Sequence, residues 1–165
     1  MAEIYYSQAP VRYGDYVSKL ALVPTPATLE AIGGPSAIGP GREAFSEAIV
    51  RLSLQNKGIY ELKVQPRTNA EMMPVEDAAA EWPEDESPYV TVAILTLPPQ
   101  DPLSPARRAL DDSLAFNPAN GIVLHRPLGS IMPARMATYA ATRRYRLETN
   151  GVLGIEPRSN ADIPA

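Results

Sequence analysis

Residues Met132 to Arg146 read MPARMATYAATRRYR. At about 100° per residue, a helix brings Arg135, Tyr139, Thr142 and Arg146 within an arc of about 60°. A helix built only to pack places alanine, leucine or methionine on its narrowest stripe. A helix built only for solvent has no need of a tyrosine between arginines. Ser130 is placed to cap such a helix, Pro133 suits its first turn, and Asn150–Gly151 suits its end. The pattern predicts a helix over residues 131–148 with these four side chains on one stripe, and on spacing alone an exposed arginine-rich helix with one tyrosine packing inward fits it as well.

Working outward, the segment SPARRALDDSLAF has the same capping logic, with Ser104 before Pro105 and apolar Leu110 and Leu114, so a helix is expected over 104–116. Between the two helices, NPANGIVLHRPLG is rich in turn formers and reads as a loop. Upstream, YVTVAILTL (Tyr89–Leu97) is the strongest strand signal in the chain. IYELKVQPRT alternates, with Tyr60, Leu62 and Val64 on one face and Glu61, Lys63 and Gln65 on the other, as a half-buried strand does. Val90, Val92 and Ile94 are the expected neighbours of that apolar face. VRYGDYVSKLALVP predicts one further strand over Val11–Val23. REAFSEAIVRLSLQNKG repeats Phe45, Ala48, Ile49 and Leu52 at helical spacing, and Gly58 stands where the helix should stop. Residues 24–41 read as a loop with one short helical turn. Strands and helices thus segregate into an α+β class with an antiparallel sheet.

Composition narrows the chemistry. With 165 residues, 45% apolar and 21% charged, the chain suits one globular core. The absence of cysteine removes disulfides, thiolate nucleophiles and cysteine-held metals. A single histidine, His125, rules out a two-histidine metal site within one chain. A net charge of −4 argues against nucleic acid as a partner, even though residues 126–146 hold five arginines and no acid. No apolar run approaches the ~18 residues of a membrane span, and no signal peptide is visible at the N-terminus, so a cytoplasmic location is expected. The 18 prolines fall at element ends and read as punctuation.

The segment LAFNPANGIVLHRPLGSIMPARMATYAATRRYR resembles the part of haem catalases that leads into and forms their proximal haem helix. Phe116, Asn117 and Pro118 match the family's Phe-Asn-Pro opening. Arg135, Tyr139, Thr142 and Arg146 match its Arg-x-x-x-Tyr-x-x-Thr-x-x-x-Arg helix at every spacing. WPEDESPYVTVAILTLPPQ is similar to the family's Trp-Pro followed by a barrel strand, and HRPLGSI is nearest to its small catalase-related members. The resemblance covers roughly residues 3–150 and leaves 151–165 as a C-terminal tail.

What it implies is specific. Tyr139 is the expected axial ligand to the iron of haem b. A phenol titrates near ~10, and a guanidinium one turn away, as Arg135 is, favours the iron-binding phenolate by charge and hydrogen bonding. Thr142 is expected beneath or beside the ring, and Arg146 as a tuning or propionate contact. The reaction class is haem-dependent peroxide chemistry, of catalase, peroxidase or peroxygenase type. A haem-free structural or interaction protein keeping part of the fold is an alternative, as is an oxylipin-type enzyme related to catalase. His125 is expected to have a structural hydrogen-bonding role. The carboxylates of residues 71–87 read as a solvated loop more than a metal site, and Ser7 and Ser130 have no base beside them in sequence.

The family's distal-histidine segment has no counterpart in this sequence. The chain therefore resembles the second half of the catalase barrel plus the proximal helix. Half a barrel leaves strand edges open, so the expected partners are a second copy, forming a homo-oligomer, or a second chain carrying the distal half.

Overall fold

The computed structural model describes residues 3–32 and 41–164. Their strands are β1 (Tyr5–Tyr6), β2 (Val11–Tyr13), β3 (Tyr16–Pro24), β4 (Gly58–Pro66) and β5 (Val90–Leu97). Their helices are α1 (Pro26–Ile32), α2 (Ala44–Gln55), α3 (Pro105–Ser113) and α4 (Met132–Asn150). The strands form one antiparallel sheet in the order β1–β3–β4–β5, with β2 also on β3. The α+β class holds. The expected loop at 24–41 contains α1, and its residues 33–40 lie outside the described residues.

The single strand expected over Val11–Val23 is a hairpin. Gly14 and Asp15 form the two-residue loop, with Tyr13 opposite Tyr16 and Gly14 at φ +62°. A glycine at the first loop position supplies the positive φ that matches the twist of the paired strands. The outer edge of β2 is not bare. Arg12 N–H donates to Arg126 O at 2.8 Å and Gly14 N–H to Leu124 O at 3.1 Å, so the segment after α3 runs along it. His125 sits in that segment, its ring 5.6 Å from Tyr13, and its described contact is this packing instead of a side-chain hydrogen bond.

β4 is the middle of the sheet. Tyr60 and Val64 are buried, facing Pro24 and Leu20 across β3. On the β5 side Val90 is an expected neighbour that holds, while Val92 and Ile94 need correcting. Tyr60 lies opposite Leu95, Leu62 opposite Ala93 and Val64 opposite Val90, while Ile94 lies opposite Glu61 on the other face. The register shifts between Leu62 and Lys63, and Val92 is the extra residue of the resulting bulge. A bulge turns the alternation over partway along a strand, so a uniform period of two misassigns the residues beyond it. β5 is also exposed along almost its whole length, with Ile94 57% accessible. It has no strand on its outer side among the described residues.

Three further expectations shift. Gln65, placed on the polar face, is 1% exposed. Its Nε2 donates to the carbonyls of Trp82 and Ser87, each at 3.0 Å, so its buried amide is satisfied. Those partners belong to the acidic connection 67–89, which is not a purely solvated loop. It folds back over Lys19 and Gln65 and buries Met73, Trp82 and Ser87. Trp82 Nε1 donates to Pro74 O at 3.1 Å, and Lys19 places its ammonium 4.9 Å from the Trp82 ring while donating to Ala80 O. Burial lowers the Lys19 pKa below the ordinary lysine value, partly offset by Glu81 and Asp77. Gly58 begins β4 instead of ending a helix; α2 stops at Asn56, whose backbone is extended. Thr28 then locks α1 to the sheet, its hydroxyl donating to Ile59 O and accepting from Ile59 N–H, both at 2.8 Å.

Candidate functional site

α4 is held at both ends. Just before it, Gly129 has φ +94°, and a Cβ there would stand 2.7 Å from Val75 O. Glycine is required by both the backbone conformation and the close approach. Ser130 is not the helix cap: its hydroxyl donates to Glu76 O at 2.8 Å, and Ile131 takes the cap position without a side-chain bond. The acidic connection therefore fixes the start of α4. At the far end Gly151, at φ +65°, terminates the helix, and Asn150 Nδ2 donates to Asp112 O at 3.1 Å. The tail returns as well, with Ile155 N–H donating to Ser113 O at 2.8 Å and Glu156 pairing with Arg143 at 2.7 Å.

Along this helix the four stripe residues do different things. Tyr139 is 36% exposed. The Arg135 guanidinium lies over its ring, Cζ 5.8 Å from the centroid. Arg135 Nη1 donates to Gln8 Oε1, and its Nε is buried without a hydrogen-bond partner. Thr142 turns its hydroxyl onto the helix backbone, donating to Thr138 O at 2.9 Å and Tyr139 O at 3.3 Å. Arg146 reaches α3, donating to the carbonyls of Leu114 and Asp111 and pairing with the Asp111 carboxylate at 3.5 Å.

Tyr139, Thr142 and Arg146 line one hollow of about 150 Å³ together with Leu114 and Phe116; Arg135 is turned toward the N-terminal segment instead. Sites that enclose small molecules run to roughly 300–1,000 Å³. This hollow is smaller, an open wall and not an enclosed site. Phe116 stays exposed at its rim, and the helix of 104–116 ends earlier than expected, at Ser113, which frees Leu114–Phe116 to form that wall. Gln8 and Asp111 carried no recognisable signal in the sequence, because each matters only through a contact made across a long separation. Ser7 is structural: its hydroxyl accepts from Leu20 N–H at 2.9 Å. Among the described residues no group of acidic or histidine side chains is arranged to hold a metal ion, and no helix is long and apolar enough to cross a membrane.

An open antiparallel sheet followed by a long helix is found in solved catalases, and the chain has the fold of part of one. One such structure is catalase A from Saccharomyces cerevisiae, with a TM-score of 0.60 at 20% identity, covering 87% of this chain and 32% of that one. Another is a fungal catalase, with a TM-score of 0.63 at 19% identity, covering 89% of this chain and 31% of that one. The chain therefore spans about a third of the length of the structures it matches. No family model and no curated protein sequence matches it.

Proposed function

We propose that this chain is the proximal half of a catalase-related haem protein, with Tyr139 as the axial ligand of haem b and Arg135 as its charge partner. One observation carries the reading: a half-open phenol lies under a guanidinium that keeps a buried, unpartnered N–H. That pairing fits the group, because a tyrosine ligates ferric haem as phenolate, and a guanidinium lies beside this one. Haem, when bound, would supply the iron for peroxide chemistry of the catalase, peroxidase or peroxygenase class. The chain's own residues do the holding. Tyr139 offers the oxygen and Arg135 the compensating charge. Thr142, Leu114 and Phe116 shape the adjoining wall, and Arg146 fastens α3 to α4 so that the wall keeps its form.

The test is a visible spectrum recorded after haem is added to the purified chain. A Soret band that disappears in Tyr139→Phe is the expected result. A band unchanged by that substitution would remove Tyr139 as the ligand. The long apolar exposure of β5 equally suits a haem-free interaction protein, and failure of the wild-type chain to take up haem would favour that reading.

The same reading calls for a partner, either a second copy or a chain carrying the distal half. β5 is eight residues long and uncharged, the kind of edge that recruits another strand. Light scattering across a dilution series of the isolated chain is expected to show a mass above the monomer that falls on dilution. A monomer at every concentration would mean that β5 needs no cover.

A further inference from the structure

The unexplained feature of the site is the direction of Arg135. Surface arginines sample many rotamers, yet this one lies over Tyr139 with its Nε buried. Among the described residues, the side chain bonded to it is that of Gln8, 127 positions away in sequence. Gln8 stands in the short link between β1 and β2, and that link is tightly held. Ser7 exchanges two hydrogen bonds with Leu20 on β3, each at 2.9 Å. On the other side Ala9 and Pro10 are buried, and Pro10 O accepts from Leu128 N–H at 2.8 Å. The backbone on both sides of Gln8 is therefore fixed to the sheet and to the approach to α4.

We infer that Gln8 is a positioning residue for the proximal site: its amide oxygen holds the Arg135 guanidinium over Tyr139. This rests on the reading of Tyr139 as the haem ligand only where haem is measured. The choice of residue has physical content. A glutamine oxygen accepts a hydrogen bond without carrying charge, so it orients the arginine and leaves its positive charge uncancelled. A carboxylate at the same place would hold the arginine equally well and neutralise it. The positioning and the charge are thus separable by substitution.

Three forms of the full chain make the test: wild type, Gln8→Leu and Gln8→Glu, with circular dichroism showing that each is folded. The first readout is the rate at which phenylglyoxal modifies Arg135, followed by peptide mass spectrometry without haem. A hydrogen bond to a charged group corresponds to roughly a ten-fold change in an equilibrium, so Gln8→Leu is expected to speed modification about ten-fold and Gln8→Glu to restore protection. The second readout is the haem titration. Gln8→Leu weakens retention, and Gln8→Glu shifts the visible spectrum despite the restored tether, because the charge over Tyr139 is cancelled. Unchanged Arg135 reactivity in Gln8→Leu overturns the proposal, whatever haem does. Loss of protection with no haem uptake by wild type would keep the tether and overturn the haem reading alone.

Discussion

Trp82→Ala is expected to destabilise the chain by about 3–5 kcal/mol, the range for removing a buried tryptophan. The side chain is 2% exposed. It roofs the Lys19–Gln65 face of the sheet, donates to Pro74 O, and receives Gln65 on its own carbonyl. Domains of this size are typically stable by about 5–15 kcal/mol in all, so the loss is a large fraction of the total. It also reaches the site, because the connection that Trp82 anchors supplies Val75 and Glu76 to the start of α4. Urea unfolding followed by circular dichroism measures it, since the chain's one tryptophan is the residue removed. Trp82→Phe keeps most of the apolar volume and forfeits the indole hydrogen bond, a loss of roughly 1 kcal/mol. A shift within about 0.5 kcal/mol for the alanine form, as at an ordinary surface position, would show that the connection does not depend on this anchor.

That roof shows where sequence reasoning reaches and where it stops. β4, β5, α2, α3 and α4 were legible because each has a local period and terminal punctuation. Alternation finds Tyr60 and Val64; Ser104 and Pro105 find the start of α3, and Gly151 the end of α4. The hairpin at Gly14 was written in the chain but hidden by β-branched and aromatic residues on both sides. The burial of Gln65 was not legible, since its partners come from a connection whose acidic composition points to solvent. The bulge at Val92 was equally hidden, because it is set by pairing with β4 and leaves the composition of β5 unchanged.

For the candidate site, periodicity puts four residues on one stripe of α4 but cannot say what each side chain meets. Tyr139, Thr142 and Arg146 do line one hollow. Arg135 and Arg146 then diverge, because long side chains follow the nearest acceptors: Gln8 for one, Asp111 and Leu114 for the other. Those acceptors come from distant parts of the chain. Ser130 illustrates the same point. Its position before α4 suits a cap, but the carbonyl of Glu76 takes its proton.

The isolated chain, supplied with haem, is expected to decompose hydrogen peroxide about 10²–10⁴-fold more slowly than a complete catalase, the range that a positioned general acid–base contributes. The site in hand has one wall, and the groups on it serve other tasks. The Tyr139 oxygen is committed to the iron in the proposed arrangement. Arginine does not deprotonate in proteins, so neither Arg135 nor Arg146 can relay a proton. The Thr142 hydroxyl is spent on the helix backbone. His125, the only histidine, packs on Tyr13 beside β2 and is not among the residues that line the hollow. None of these groups can therefore move a proton between the peroxide oxygens, the service that the proposed partner chain would supply. Oxygen evolution by the haem-loaded chain, compared with a complete catalase at equal haem concentration, measures the difference. Evolution at a comparable rate with no second protein present would mean that this chain holds an acid–base group of its own, and His125→Ala would then show whether it is the histidine.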